Sequence, residues 1–372
     1  MNRRTFMQKT GLIMSGLTLS PLIGKSYSSI YGQTAPSNKV QVALIGCRSM
    51  GYGDLNTFLD YPETECVALC DVDDEWLNKR AADVEKKTGK KVPHLYKDWR
   101  RVIDNKDVDV VIIGTPDHWH CLPTVWAYQD GKPTLPVKPD CDAPAGVDYD
   151  MWLGPAPKRP FNPYRFHYNF RFFWDYAGGL MSDWGVHLLD YALEGMNAGL
   201  PTRVFSGGGK FAYPDDAMET PDTLMATYAY DDFNIIWDHA CGINHGLYNR
   251  KEGLAFYGEN GTMVLDRAGW EVLPVVSNNV ARMEAVPFKK GEGKGLYNHV
   301  GNMLSCIKSR ELPNADVAIG ARVAKMAHLA NISCRVQREV HWDDKNNLFV
   351  GDNEATALSK AYYRAPWELP KL

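Results

Sequence analysis

The chain has 372 residues, 45% of them hydrophobic, with a formal net charge of -4. That length accommodates two domains, each with its own core. The near-balanced charge excludes a nucleic-acid footprint and a polybasic membrane surface. The eight cysteines form no CxxC pair and no zinc-ligand spacing, so they are read as reduced and structural, with no metal site. Aromatic residues make up 12% of the chain, which suits a sugar-handling protein and a large core equally.

The first residues carry Arg3-Arg4 followed by Phe6, the pattern of a twin-arginine export signal. The stretch from Gly11 to Gly24 is uncharged, but too short and too rich in Gly and Ser for a good membrane span. Residues 1–37 are therefore assigned to a signal and linker. The expectation is export in the folded state to the periplasm, with no stable membrane span after the signal is removed.

Lys39 to Ile45 is an apolar, β-branched run that predicts a buried parallel strand. Gly46-Cys47-Arg48-Ser49-Met50-Gly51 follows, and then a helix to about Leu59. Gly46 and Gly51 hold the outer glycine places of a dinucleotide fingerprint. Arg48 takes the middle place, where its side chain must swing away from the pyrophosphate or contact it. Ser49 and Met50 open the helix whose N–H groups would face that phosphate.

A second strand, Glu65 to Leu69, ends at Cys70-Asp71. An acid there accepts hydrogen bonds from the ribose hydroxyls of NAD. The alternative for Asp71 is a helix cap. Asp73 and Asp74 favour NAD over NADP, because their charge repels a 2′-phosphate. A third strand, Val108 to Gly114, leads into Thr115-Pro116-Asp117-His118-Trp119-His120. Thr115, Pro116, His118 and His120 are assigned to packing or cofactor contact, since no third metal ligand lies near the two histidines.

Further on, Arg165, His167, Asn169 and Arg171 alternate with aromatic residues, a period of two that predicts a strand. Its polar face either lines a sugar pocket or meets solvent. Gly178 to Glu194 has helical spacing, which places Asp183 and His187 on one face. Such a pair is either a surface ion pair or a carboxylate orienting an acid/base imidazole. From Phe205 to Leu265, short alternating strands predict an antiparallel sheet, in which Asp238, His239, His245 and Tyr248 are pocket candidates. Val300–Ile307 and Ala315–Val336 predict helices.

These segments together resemble the Gfo/Idh/MocA oxidoreductases, in their exported, Bacteroidetes-type form. The resemblance rests on Thr115-Pro-Asp-His-Trp-His120, on Gly178-Gly-Leu-Met-Ser-Asp-Trp-Gly-Val-His187-Leu-Leu-Asp190, and on Tyr363-Arg-Ala-Pro-Trp-Glu-Leu. It implies an α/β fold, with a Rossmann-type parallel sheet followed by an α/β domain whose open, mainly antiparallel sheet carries the substrate pocket. The opposite face of that sheet implies a homo-oligomer contact. The domains would then be 38–140 and 141–372. The resemblance gives Asp183 and His187 a catalytic role and implies a lysine near the nicotinamide, for which Lys138 is the match; Trp184, Arg165, His167, Asn169 and Arg171 are candidates for substrate contact.

One stretch departs from the family pattern. Val137-Lys138-Pro139 stands where a Glu-Lys-Pro motif is expected, and the chain then moves directly into Ala143-Pro-Ala-Gly-Val-Asp-Tyr. Either the motif is degenerate, or roughly 60 residues, two βα units of about 30 each, are deleted. Pro133, Pro136, Pro139 and Pro144 favour deletion, because such a run does not form a central strand. The expected activity is NAD-dependent hydride transfer at a hydroxyl of a sugar, polyol or glycoside. The alternatives are a retained-cofactor glycoside-cleaving enzyme and a degenerate binding protein.

Overall fold

The β-branched run Val40–Ile45 forms strand β1 at the centre of a parallel sheet. The fold comes from a computed structural model, which describes residues 39–116, 135–243, 245–360 and 363–368. Helix α1 (Ser49–Phe58), strand β2 (Thr64–Cys70), helix α2 (Asp74–Thr88), strand β3 (His94–Tyr96), helix α3 (Arg100–Asp104) and strand β4 (Val110–Ile113) follow. The strands lie in the order β3-β2-β1-β4, all parallel. Helix α2 shows why this chain turns where it does. Asp73 accepts the Glu75 N–H as a cap, acids fill the first turn, and Gly89 at φ 70° ends the last one. Cys66 and Cys70 are buried in β2, and the seven described cysteines are all free thiols.

Helix α4 (Tyr149–Leu153) anchors an aromatic cluster of Trp152, Phe161, Phe166, Phe173 and Tyr176, which packs against Val72 at the end of β2. The segment expected as a strand at 165–172 is instead a 3-10 turn, His167–Phe172. Phe166, Phe170 and Phe172 pack into this cluster while Tyr168 stays exposed, and among the described residues no strand pairs with this segment. The single helix expected at 178–194 is two segments, α5 (Gly179–Asp183) and α6 (Gly185–Met196), joined at Trp184. Two glycines permit this entry: a Cβ on Gly178 would lie 2.4 Å from Asn331 Nδ2, and one on Gly179, at φ +66°, 2.6 Å from Thr220.

Strands β5 (Arg203–Gly209), β6 (Thr223–Ala229) and β7 (Asn234–Ala240) then form an antiparallel sheet. A second antiparallel sheet holds β8 (Leu254–Tyr257), β9 (Gly261–Asp266), β10 (Gly269–Pro274) and, beyond the short pair β11 (Val276–Ser277) and β12 (Val280–Ala281), β13 (Val286–Lys290). Helices α7 (Gly295–Ser309) and α8 (Val317–Val336) follow, with β14 (Val340–Asp343), β15 (Leu348–Phe349) and α9 (Asn353–Leu358) closing the described chain. The first sheet reads β15-β14-β5-β6-β7. Its inner face packs Val204, Leu224, Ala226 and Tyr228 against Met326, Ala327 and Ala330 of α8 and Leu189 of α6. Ser333 pins α8 to β5 by accepting the Ser206 N–H at 2.9 Å. The outer face leaves Phe205, Met225 and Ile236 exposed.

Helix α7 crosses back to the parallel sheet. Its Val300 and Leu304 share a core with Leu44, Leu55 and Phe58. The architecture is thus a parallel Rossmann-type sheet followed by mainly antiparallel sheets, the α/β class expected from the sequence. Among the described residues, no helix is long and apolar enough to cross a membrane.

Candidate active site

The dinucleotide end is built by three interlocking glycines. Gly46 turns the chain at φ +88°, and a Cβ there would stand 2.5 Å from the Gly114 carbonyl carbon. A Cβ on Gly51 would stand 2.4 Å from the Gly46 oxygen, and one on Gly114 would stand 2.5 Å from the Gly51 Cα. The start of α1 therefore sits directly against the ends of β1 and β4, as close helix–strand packing requires. Helix α1 has no side-chain cap, so its N-terminus, at Ser49 and Met50, presents backbone N–H groups.

Arg48 is extended backbone before that helix, and its guanidinium lies 4.6 Å over the Trp76 ring of α2. The side chain thus lies along the start of α2, within reach of the Asp73 and Asp71 charges. Asp71 reaches the same loop: its carboxylate accepts the Cys47 N–H at 2.6 Å and the Asp73 N–H at 2.9 Å. Burial raises the Asp71 carboxyl to about 6, against the lowering effect of those two N–H groups. Thr115 and Pro116 follow Gly114 at the end of β4 and are half-buried. His118 and His120 lie outside the described residues. The glycine cradle, the uncapped helix and the carboxylate beside them fit the adenosine and pyrophosphate part of a dinucleotide.

His167 belongs to this end as well. Its Nε2 lies 3.0 Å from Asp73 Oδ2, its backbone holds φ +56°, and burial with the nearby Arg48 charge lowers its pKa to about 4. Arg165 donates to Asp140 at 2.7 Å and to the Pro160 carbonyl, while Asn169 is half-buried. The four polar residues of the predicted strand face therefore do not share a surface.

Arg171 joins the second domain's helices instead. Its guanidinium donates to Asp183 at 2.6 Å, with both side chains buried. Asp183 thus pairs with Arg171 and does not orient His187. The kink at Trp184 parts the two residues that a regular helix would align. Beyond it, the His187 Nε2 is buried and, among the described residues, has no hydrogen-bond partner, as is the case for the Trp184 Nε1. Burial and then the charge of Arg267 push the His187 pKa down to about 4, so the ring is neutral at neutral pH. Arg267 itself stands 5.1 Å over the Trp184 ring. No local pattern marks Arg267 in the sequence, since it is an exposed turn residue between β9 and β10.

Lys138 is exposed, and its ammonium stands 5.1 Å over the Tyr164 ring. Its side chain makes no bond to His187. His239 is a core residue: its Nδ1 accepts the Trp237 Nε1–H at 2.9 Å, and burial lowers its pKa to about 4. His245 and Tyr248 are exposed in the turn before β8.

A Rossmann-type glycine cradle joined to a second domain that carries a half-buried, neutral imidazole fits the dinucleotide-binding oxidoreductase class. The chain belongs to the Gfo/Idh/MocA oxidoreductase family. Residues 40–146 match its NAD-binding Rossmann-fold domain and residues 123–248 its C-terminal α/β domain, together more than half of the chain.

A glycosyl hydrolase family 109 protein of Stenotrophomonas maltophilia strain K279a is 34% identical over 135 residues, covering 34% of this chain and 28% of that protein. One from Shewanella baltica strain OS195 is 27% identical over 150 residues, covering 36% of this chain and 32% of the relative. The chain thus spans about a third of the length of the curated relatives it matches. Among solved structures, levoglucosan dehydrogenase in complex with NADH and L-sorbose is similar at TM-score 0.56 and 13% identity, covering 82% of this chain and 99% of that one. The WlbA dehydrogenase from Bordetella pertussis, in complex with NADH and UDP-GlcNAcA, is similar at TM-score 0.52 and 16% identity, over 82% and 99% of the two chains. These structural likenesses concern the fold.

Proposed function

We propose that this protein is an NAD-dependent oxidoreductase acting on a hydroxyl-bearing carbon of a sugar, polyol or glycoside. The observation that carries this reading is His187, whose buried Nε2 has no partner among the described residues and whose pKa burial pushes down to about 4. A neutral imidazole keeps a lone pair that can accept a proton, which is what removal of a hydroxyl hydrogen requires. NAD, when bound, supplies the hydride acceptor. Gly46, Gly51 and the start of α1 would hold its phosphates, and Asp71 its ribose. Arg171 and Asp183 act as positioning residues: their buried pair locks α5 to the 3-10 turn and so fixes where α6 begins.

The test is hydride transfer with a panel of sugars, polyols and glycosides on wild type and His187→Ala. The variant is expected to retain NAD by mass spectrometry and to lose turnover by about a hundredfold or more, the scale of a missing acid/base. Full turnover in His187→Ala would overturn the assignment.

The matches to glycosyl hydrolase family 109 proteins favour a second reading, transient oxidation followed by glycoside cleavage and re-reduction. Cleavage of a chromogenic glycoside without added NAD would support it, and stoichiometric NADH release would count against it. The Arg3-Arg4 signal supports twin-arginine export to the periplasm, where a retained cofactor avoids the need to recycle NADH. The four-stranded parallel sheet, with β4 at its edge among the described residues, supports the deletion of two βα units. The exposed Phe205, Met225 and Ile236 on the outer sheet face support a homo-oligomer.

A further inference from the structure

The 3-10 turn of the second domain reaches the dinucleotide end through one side chain. His167 Nε2 lies 3.0 Å from Asp73 Oδ2. A carboxylate only accepts, so this ring nitrogen donates. Asp73 passes the contact on, since its own N–H donates to Asp71 Oδ1 at 2.9 Å. Asp71 Oδ2 in turn accepts the Cys47 N–H at 2.6 Å, one residue after the Gly46 turn. Three hydrogen bonds thus run from the second domain to the glycine cradle, through the acid placed at the ribose.

The start of α2 does not need this imidazole. Asp73 caps the helix with Oδ1 alone, by accepting the Glu75 N–H at 3.0 Å, and Oδ2 is left for His167. The imidazole is delivered against a backbone preference. His167 holds φ +56°, a left-handed conformation that a residue with a Cβ keeps only when its surroundings enforce it. Phe166, buried in the aromatic cluster, stands with its ring centroid 3.8 Å from the imidazole and fixes its place. Backbone contacts set where the receiving loop runs: the Asp148 N–H donates to the Val72 carbonyl at 3.0 Å, and Val147 bridges Asp73. They leave the direction of the Asp73 carboxylate to side chains. The Arg48 charge acts on Asp73 and Asp71 alike, so a carboxylate released by His167 would turn towards the guanidinium and take the loop with it.

We infer that His167 is a positioning residue for NAD: by holding Asp73, it keeps Asp71 and the glycine turn in the arrangement that receives the adenosine ribose. This rests on the reading of Asp71 as the ribose acceptor. The effect of His167 on NAD passes through Asp73, not through a contact of its own with the cofactor. The second domain, which carries His187, thereby also tightens the adenosine end.

The experiment is calorimetric titration of the full chain, stripped of bound NAD, with NAD and with ADP-ribose, which lacks the nicotinamide. Thermal denaturation checks that each variant is folded at the titration temperature. Asp71→Ala tests the ribose reading itself and should weaken both ligands by about ten- to a hundredfold. His167→Ala and Asp73→Ser should each weaken both ligands by about five- to twentyfold, the serine keeping the α2 cap. The double variant should bind within about twofold of the weaker single one, because the two changes break one contact. His167→Gln, whose amide N–H can reach the same carboxylate, should recover part of the loss. Unchanged affinity in His167→Ala, with affinity lost in Asp71→Ala, overturns the proposal and keeps the ribose reading. Losses that multiply in the double variant also overturn it, since His167 then acts on the cofactor by another route. If His167→Ala does not fold, Asp73→Ser decides, and unchanged affinity there overturns the proposal. Unchanged affinity in Asp71→Ala rejects the ribose reading, and the proposal with it.

Discussion

The carboxylate of Asp183 lies 2.6 Å from the Arg171 guanidinium, and both side chains are less than a tenth exposed. A pair buried this deeply has given up its hydration, so removing one partner takes away much of what compensates the other charge. Asp183→Ala is expected to destabilise the protein by about 3–5 kcal/mol, and Arg171→Met by a similar amount. Urea denaturation of each single variant and of the double variant measures this. The double variant should lose less than the sum, because it removes both buried charges together. Losses under 1 kcal/mol in both single variants would mean that the pair is solvated and does not lock α5.

The glycine interlock gives a second contrast, within one helix. At Gly51 an added Cβ would stand 2.4 Å from the Gly46 oxygen and 3.0 Å from the Gly114 Cα, both backbone atoms that cannot rotate aside. Gly53, two residues on, has nothing within 4 Å of its would-be Cβ. Gly51→Ala should lower stability by about 3 kcal/mol and abolish NAD binding, because α1 must move off β1. Gly53→Ala should raise stability by about 0.5–1 kcal/mol, the difference between glycine and alanine inside a helix. Equal effects at the two positions would refute the close-packing account.

Where local pattern and fold agree, the reading from sequence holds closely. The strand before Gly46, the helix after it and the strand ending at Cys70 lie within a residue or so of their expected bounds. Buried parallel strands and glycine turns are local properties, so they are visible in order along the chain. The alternation at 165–172 misled because its polar residues find distant partners: His167 meets Asp73, and Arg171 meets Asp183. A period of two cannot distinguish a sheet face from a turn whose side chains bond elsewhere. Helix α7 was legible as a helix, but its sequence does not say that Val300 and Leu304 complete the core of the parallel sheet. Arg267 left no trace, since an arginine in an exposed hairpin turn resembles any other until the sheet is placed on α6.

The seating of α7 on the parallel sheet has its own test. Tyr61 stacks on Tyr297 with ring centroids 4.5 Å apart and donates its hydroxyl to the Tyr297 carbonyl at 2.7 Å. Tyr61→Phe keeps the stack and removes the hydrogen bond, and should cost about 0.5–1.5 kcal/mol. Gly301→Ala places a methyl 2.7 Å from the Tyr61 hydroxyl, which displaces the same contact. Combined with Tyr61→Phe, the alanine should add little further loss, since the atom it strikes is gone. Fully additive losses in the double variant would place the effect of Gly301→Ala elsewhere than Tyr61.

The buried histidines make stability depend on pH. His239 is 5% exposed, and burial holds its pKa down at about 4, against 6.5 for an ordinary histidine. Above 6.5 both folded and unfolded chains keep it neutral, so it has no effect on the balance. Between 6.5 and 4 the unfolded chain takes up the proton and the folded one does not, so stability falls as pH falls. Asp71 and Asp54 work in the opposite direction. Burial raises both to about 6, so the folded protein binds their protons first and gains stability over the same window. The total pH profile therefore mixes opposing contributions, and a difference between variants isolates His239. His239→Gln removes the titrating group and keeps an acceptor for the Trp237 N–H. Its stability relative to wild type should rise by about 1–3 kcal/mol between pH 7.5 and pH 4.5, as read by thermal or urea denaturation at each pH. A difference that stays constant across that range would show that the folded protein protonates His239 as readily as the unfolded chain does, and that the imidazole is not sealed in the core.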